Sequence, residues 1–231
     1  MYFQHSTAMW AAHPGLVAGV VRAEGVSAMA EVGEQVARFG AIAAERLTGR
    51  TESDLPEIQA WRRTFAAMGL KPTQYRCASE ALLRRFRKEG ELPRIHPLID
   101  LCNAISLAFA VPVAAIDLER VTGDLTVRHA EGDETYETFS GEVENPEPGE
   151  VVFADSAGRA HARRWTNRQS GYSAVRPGTS SVLIVAEAVH GTASVDVAKL
   201  VQALSDELTT TWHTTPASAL LTPTTPRFPL T

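Results

Sequence analysis

The sequence predicts an α+β fold, a single domain in which helices pack against a mixed β-sheet. Three observations lead there. Segments with an apolar residue every three to four positions alternate with short β-branched runs, so helices and strands are interleaved along the chain. Most strand-to-strand connections are long and not of the hairpin type, which argues against a simple β-sandwich. The 231 residues, 44% of them apolar, suffice for one good-sized core.

Taken in order, the opening MYFQHST looks like the remnant of a cleavage and purification tag, and residues 1–7 are excluded from the expected fold. The run LVAGVVR from Leu16 to Arg22 reads as a buried strand. Glu31 to Leu47 follows as a helix with Val32, Val36, Phe39, Ala43 and Leu47 on one face. Asp54 and Glu57 are expected to form a capping box for the next helix. Its Ile58, Trp61, Phe65 and Met68 repeat at helical spacing until Gly69, and Arg62 and Arg63 point outward. A third helix, SEALLRRFRKE from Ser79 to Glu89, places Leu82 and Phe86 inward and ends at Gly90. Its Arg84, Arg85, Arg87 and Lys88 either hold a polyanion backbone or form a solvated face paired with Glu80 and Glu89.

The fourth helix spans Pro97 to Phe109 with Leu98, Leu101, Ile105 and Ala108 buried, and Asp100 and Asn103 share another face. The Asn103 amide has donors and an acceptor, enough to clamp a loop or to position a ligand. Val111-Pro112 leads into the strand VAAIDL, whose terminal Asp117 suits the backbone N–H groups of the following turn. Gly123-Asp124 turns the chain into LTVRHA, with Leu125 and Val127 inward. Two strands then join around Ser156-Ala157-Gly158. They are followed by RRWTNRQS, where Arg163, Arg164, Thr166, Asn167, Arg168, Gln169 and Ser170 surround Trp165. That mixture is either a ligand-binding loop able to stack a base and donate to a carbonyl, or a solvated loop pinned by one tryptophan. TSSVLIVAEAV reads as a buried strand with Glu187 near its end. Ser194 opens a last helix with Val197, Leu200, Val201, Leu204 and Leu208 inward. Residues 214–231 carry four prolines and no sustained apolar period, and read as a tail.

Composition removes several function classes. A charged fraction of 21% and a net charge of −5 rule out a surface broadly coated by nucleic acid, so any such contact is local. No apolar run approaches the ~20 residues of a membrane helix, and no secretory pattern opens the chain, so a cytoplasmic protein without membrane contact is expected. Cys77 and Cys102 lack CxxC or Cys/His spacing, and His96, His129, His161 and His190 are scattered singly, so neither metal nor cofactor is expected. Ser170, His161 and Asp155 could compose a hydrolase triad, but no GxSxG elbow accompanies them.

The block from Leu92 to Glu134, with SEALLRR before it and RRWTNR after it, resembles the B3/B4 editing module of the phenylalanyl-tRNA synthetase beta subunit and the freestanding proteins built around it. The resemblance covers residues 12–212 and implies a layered ββα sandwich with a pocket for the aminoacyl end of transfer RNA. It implies a hydrolase that deacylates mischarged aminoacyl-tRNA, or alternatively a non-catalytic module that binds aminoacyl-tRNA or a free amino acid. Transfer RNA is the implied partner, held along its backbone by Arg84, Arg85, Arg87 and Lys88; the oligomeric state is not implied. Arg164, Asn167 and Gln169 become the candidate catalytic donors. Ser79, Asn103, Ala114, Trp165, Thr166, Val185 and Glu187 become candidate substrate-binding residues. Two departures stand out: Pro112, Val113 and Ala114 replace the segment that carries an editing histidine, and Val185 replaces a glutamate that reads a tyrosine hydroxyl. Glu187 lies two residues further along the same strand face. Apolar walls at Ala114 and Val185 favour a smaller or aliphatic aminoacyl group.

Overall fold

The computed structural model describes residues 1–231, and the alternating pattern of the sequence becomes twelve strands and six helices. The strands are β1 (Tyr2–His5), β2 (Val17–Glu24), β3 (Val113–Asp117), β4 (Leu125–His129), β5 (Tyr136–Glu137), β6 (Val143–Glu144), β7 (Val151–Asp155), β8 (Ala160–Arg163), β9 (Arg168–Gln169), β10 (Ser181–Ala188), β11 (Ala217–Leu221) and β12 (Arg227–Pro229). The helices are α1 (Thr7–Ala12), α2 (Gly33–Arg46), α3 (Pro56–Ala67), α4 (Ala78–Glu89), α5 (Pro97–Phe109) and α6 (Ala193–Trp212).

One sheet has the order β12-β1-β4-β7-β8-β9, a second has the order β11-β2-β10-β3, and β5-β6 is a small ribbon. Every pair is antiparallel except β1 with β4. β10 shows why the sheets stack as they do, because it is apolar on both faces. Leu183 and Val185 join Phe3, Val127 and Phe153 in a core between the two sheets, which α3 and α4 close with Trp61, Phe65 and Leu83. Val182, Ile184 and Ala186 join Leu101 and Ile105 of α5 and Val197, Leu200 and Leu204 of α6 in a second core. Sheet, sheet and helices therefore form the layered ββα arrangement that the family resemblance implies, with two stacked sheets where the residue pattern alone predicted one mixed sheet.

The close approach of α6 depends on one residue. A Cβ at Gly19 in β2 would lie 2.7 Å from Val197 Cγ1 and nearer still to Val201, so only hydrogen fits between strand and helix. α5 runs over its expected range, with Pro97 at its first turn, where the missing N–H has no intrahelical partner to lose. Asp100 turns back to accept from the Ile95 N–H at 2.8 Å, and Asp117 accepts from the Glu119 N–H at 3.0 Å.

Several expectations need correction. Residues 1–7 are part of the fold: β1 sits between β12 and β4, and Phe3 is completely buried. Residues 214–231 are likewise not a free tail, since β11 extends the second sheet, β12 extends the first, and Leu221, Phe228 and Leu230 are buried. The capping box lies one turn earlier than expected, at Thr51 and Asp54. Glu57 pairs instead with Arg46 at 2.6 Å. In α4 the fully buried positions are Ser79, Glu80 and Leu83, whereas Leu82 and Phe86 are half-buried.

Candidate functional site

The RRWTNRQS segment leaves β8 through two consecutive residues in the left-handed region, Arg164 (φ 48) and Trp165 (φ 58). Such backbone costs about 1–3 kcal/mol per non-glycine residue and persists only where its surroundings fix it. Glu150 supplies much of that fixing. Its carboxylate accepts from Arg163 Nε at 2.9 Å, from Arg163 Nη2 at 3.0 Å and from the Arg164 backbone N–H at 3.0 Å. Burial pushes the Glu150 carboxyl up, but the Arg163 hydrogen bonds and the charges of Arg163 and Arg164 outweigh it and hold the group below the usual range. The Trp165 N–H donates to Val151 O at 2.8 Å.

Trp165 is thereby driven inward. Its indole packs edge-on against Trp61 with centroids 5.0 Å apart, lies 4.7 Å from the His13 ring, and donates from Nε1 to Glu187 Oε1 at 2.8 Å. The same Glu187 oxygen lies 2.6 Å from His5 Nε2. Glu187 and His5 are each only 2% exposed, so β1 supplies the second partner of a carboxylate buried beneath the loop. At His13, burial and the nearby His129 lower the imidazole pKa and outweigh the opposing pull of Glu187.

Above this pair lies a hollow of about 60 Å³. Its wall comes from Pro112, Val113 and Ala114 leading into and along β3, from Val185 and Glu187 of β10, and from Phe153, Ala162 and Ala78. Trp165, Thr166, Asn167, Arg168 and Gln169 complete it. Asn167 and Gln169 are each anchored by one amide contact: Asn167 Nδ2 donates to Arg76 O and Gln169 Nε2 donates to Ala115 O, both at 2.7 Å. Each amide keeps a second N–H and its carbonyl oxygen free of partners within the chain. Thr166 Oγ1 is buried and has no hydrogen-bond partner. The hollow can thus offer a small ligand an apolar floor and two amides.

The family model described as B3/4 domain matches residues 60–210. The chain belongs to the B3/4 domain family. Except for His5 of β1 and His13 at the end of α1, the groups that build the hollow and hold the loop fall within that matched span. A phenylalanine-tRNA ligase beta subunit of Photorhabdus laumondii is 30% identical over 86 residues, 37% of this chain and 11% of that one. The same subunit of Nitrobacter winogradskyi is 34% identical over 79 residues, 34% of this chain and 10% of that one. The match thus spans about a tenth of the length of these relatives. An N-terminal fragment of the phenylalanyl-tRNA synthetase beta subunit from Pyrococcus horikoshii aligns with a TM-score of 0.47 at 11% identity, over 93% of this chain and 49% of that one.

Within this B3/4 chain the structure separates residues that the sequence grouped. Ala114, Trp165, Thr166, Asn167, Gln169, Val185 and Glu187 share the hollow. Trp165 is 1% exposed, so it forms the floor and has no free face on which a base could stack. Ser79 is fully buried beside Cys77, with Oγ to Sγ 3.4 Å. Asn103 lies in a different cavity, of about 360 Å³, between α2, α5 and the segment that follows α4. The Arg164 guanidinium sits 4.9 Å over the Tyr75 ring and 3.9 Å from Glu150, outside the lining of the hollow. Arg84 and Arg87 pair with Glu52, at 3.7 and 2.7 Å, and Arg85 pairs with Glu89 at 2.7 Å, which leaves Lys88 as the unpaired cation of that group. Arg62 is taken by Glu80 at 2.6 Å. Sequence reasoning missed Ala78, Pro112, Val113, Phe153, Ala162 and Arg168 as lining residues. Strand alternation from Phe153 was the one signal that could have found any of them.

The triad reading also fails on geometry. His161 Nε2 lies 3.3 Å from Asp155 Oδ2, but Ser170 Oγ donates to Glu137 O at 2.8 Å, and all three residues are buried. No helix is long and apolar enough to cross a membrane.

Proposed function

We propose that this B3/4 domain chain acts in trans as a hydrolase that deacylates mischarged aminoacyl-tRNA, with the hollow beneath the 163–169 loop as its site. One observation carries the reading: a single concavity gathers apolar walls at Ala114 and Val185 with the amide-bearing residues Asn167 and Gln169. Family membership and the partial identity to phenylalanine-tRNA ligase beta subunits add support for a role connected with tRNA aminoacylation. At about 60 Å³ the hollow is far smaller than a typical ligand pocket of ~300–1,000 Å³. A small or aliphatic aminoacyl side chain suits it better than an aromatic one.

The chemistry asks little of the protein. Water adds to the ester carbonyl carbon, the carbonyl oxygen gains charge, and the bond to the ribose oxygen breaks as that oxygen takes a proton. Free amino acid and free tRNA result. The second N–H groups of Asn167 and Gln169 are the available donors for the developing oxyanion, in a site where preorganised donors are worth most. Neither amide can act as a base, so the attacking water relies on positioning and on the reactivity of the ester.

A second reading, a non-catalytic module for aminoacyl-tRNA or a free amino acid, is favoured by the charged side chains of the lining, Glu187 and Arg168, both being taken by partners within the chain, which leaves no free base. Hydrolysis of a panel of mischarged tRNAs by the wild type, Asn167→Ala and Arg164→Ala separates the two. The hydrolase reading expects turnover of a substrate with a small side chain and a loss of about 10²-fold or more in Asn167→Ala. Arg164→Ala, whose guanidinium lies outside the hollow, should retain most of the rate. Saturable binding without ester loss on any substrate supports the module instead.

A further inference from the structure

Glu57 on the first turn of α3, His190 in the turn after β10 and Asp196 on the first turn of α6 bring ligand-capable atoms within 4.8 Å of one another. Some of these atoms have partners. His190 Nε2 lies 3.0 Å from Asp196 Oδ2, to which Thr192 Oγ1 also donates at 2.6 Å, and Glu57 Oε1 accepts from Arg46 at 2.6 Å. Two do not. Glu57 Oε2 and His190 Nδ1 are buried without any hydrogen-bond partner, in residues only 7% and 8% exposed. A buried carboxylate oxygen and an imidazole nitrogen left unpaired in the same cluster are costly, and such groups call for a partner.

We propose that Glu57, His190 and Asp196 bind one first-row divalent cation of the zinc class. The donor set decides the class. One imidazole nitrogen with two carboxylates matches the nitrogen and oxygen donors that Zn²⁺ accepts, with a fourth position left for water. Calcium and magnesium favour all-oxygen sites of six or more ligands, and no thiolate is present to select a soft monovalent ion. Charge agrees as well. Two carboxylates bring two negative charges, and Arg46 offsets one of them at Glu57.

Such a cation would tie α3 to the β10–α6 junction. It also has an optical reporter, because Trp61 lies one turn from Glu57 on α3 and packs against Trp165. The site shares no ligand with the hollow and stands or falls independently of hydrolysis. Local spacing hid it, since Glu57 lies far in sequence from the His190–Asp196 pair.

The test uses the full chain, stripped of metal with a chelator and titrated with ZnCl₂ in a calorimeter while melting temperature and tryptophan emission are followed. We expect saturable binding of one equivalent per chain, a rise in melting temperature and a change in emission. His190→Ala and Asp196→Asn should each weaken the affinity by ~10-fold or more, with an unchanged far-ultraviolet circular dichroism spectrum. Absence of stoichiometric heat and of any thermal shift in the wild type with zinc, manganese and cobalt would overturn the site. So would binding that survives intact in both variants, which would locate the metal elsewhere.

Discussion

Replacing Trp165 with phenylalanine isolates the contact that holds the candidate loop in place. The smaller ring keeps the aromatic packing against Trp61 but removes the Nε1–H that donates to Glu187 Oε1 at 2.8 Å. A hydrogen bond to a charged group contributes about 1.5–3 kcal/mol, and Glu187 is 2% exposed, so water does not readily replace the lost donor. The smaller side chain leaves a void that adds about 1 kcal/mol. Together these give a destabilisation of about 2.5–4 kcal/mol, or a melting temperature lowered by roughly 5–15 °C at this chain length. Urea denaturation of the wild type, Trp165→Phe, Glu187→Leu and the double variant measures both the loss and its origin. If the donor is what matters, the two substitutions are coupled by about 0.5–3 kcal/mol. A loss below about 0.5 kcal/mol, or strict additivity, would refute the view that Glu187 anchors the loop through the indole.

Two further outcomes can be checked on the same material. Gly19→Ala should cost about 1–3 kcal/mol by overpacking, because its Cβ meets Val197 and Val201, and Val201→Ala in the same chain should restore part of the loss in a thermal melt. Asp155 governs acid stability: burial pushes its carboxyl up, but His161 and the N–H groups of Arg159 and Thr122 bring it down to about 2. An unfolded aspartate titrates near ~3.9, so this stabilisation is fully present above that pH and is lost as pH falls towards 2; Asp155→Asn should flatten that limb of the stability curve.

Much of the layering was legible because it is local. Pro97, the apolar stripe of α5 and the two-faced apolar run of β10 fix their own elements without reference to distant partners. The same locality brought Val185 and Glu187 to one side of the site, since alternate residues of a strand share a face. The terminal strands were illegible for the opposite reason. Tyr2–His5 and Arg227–Pro229 are too short to show a period, and their identity as strands comes entirely from neighbours remote in sequence. The cations of α4 misled in the same way. Nothing near Arg87 in the chain announces that Glu52 will take it at 2.7 Å. In the 163–169 loop the density of donors was a true signal, but of two kinds at once: Arg163 and the backbone N–H groups of Arg164 and Trp165 hold the turn, while Asn167 and Gln169 border the hollow.

The position of β1 carries a consequence for how the molecule assembles. Gln4 meets Thr126 across 122 positions of sequence and Arg227 across 223, so its strand is clasped on both sides by segments that emerge much later from the ribosome. Until β4 arrives, Phe3 and His5 lack the strand they pair with, and β12 then adds its contacts to Tyr2–Gln4. Closure of this edge of the sheet therefore waits on contacts distant in sequence, and contacts this non-local make for slow final closure.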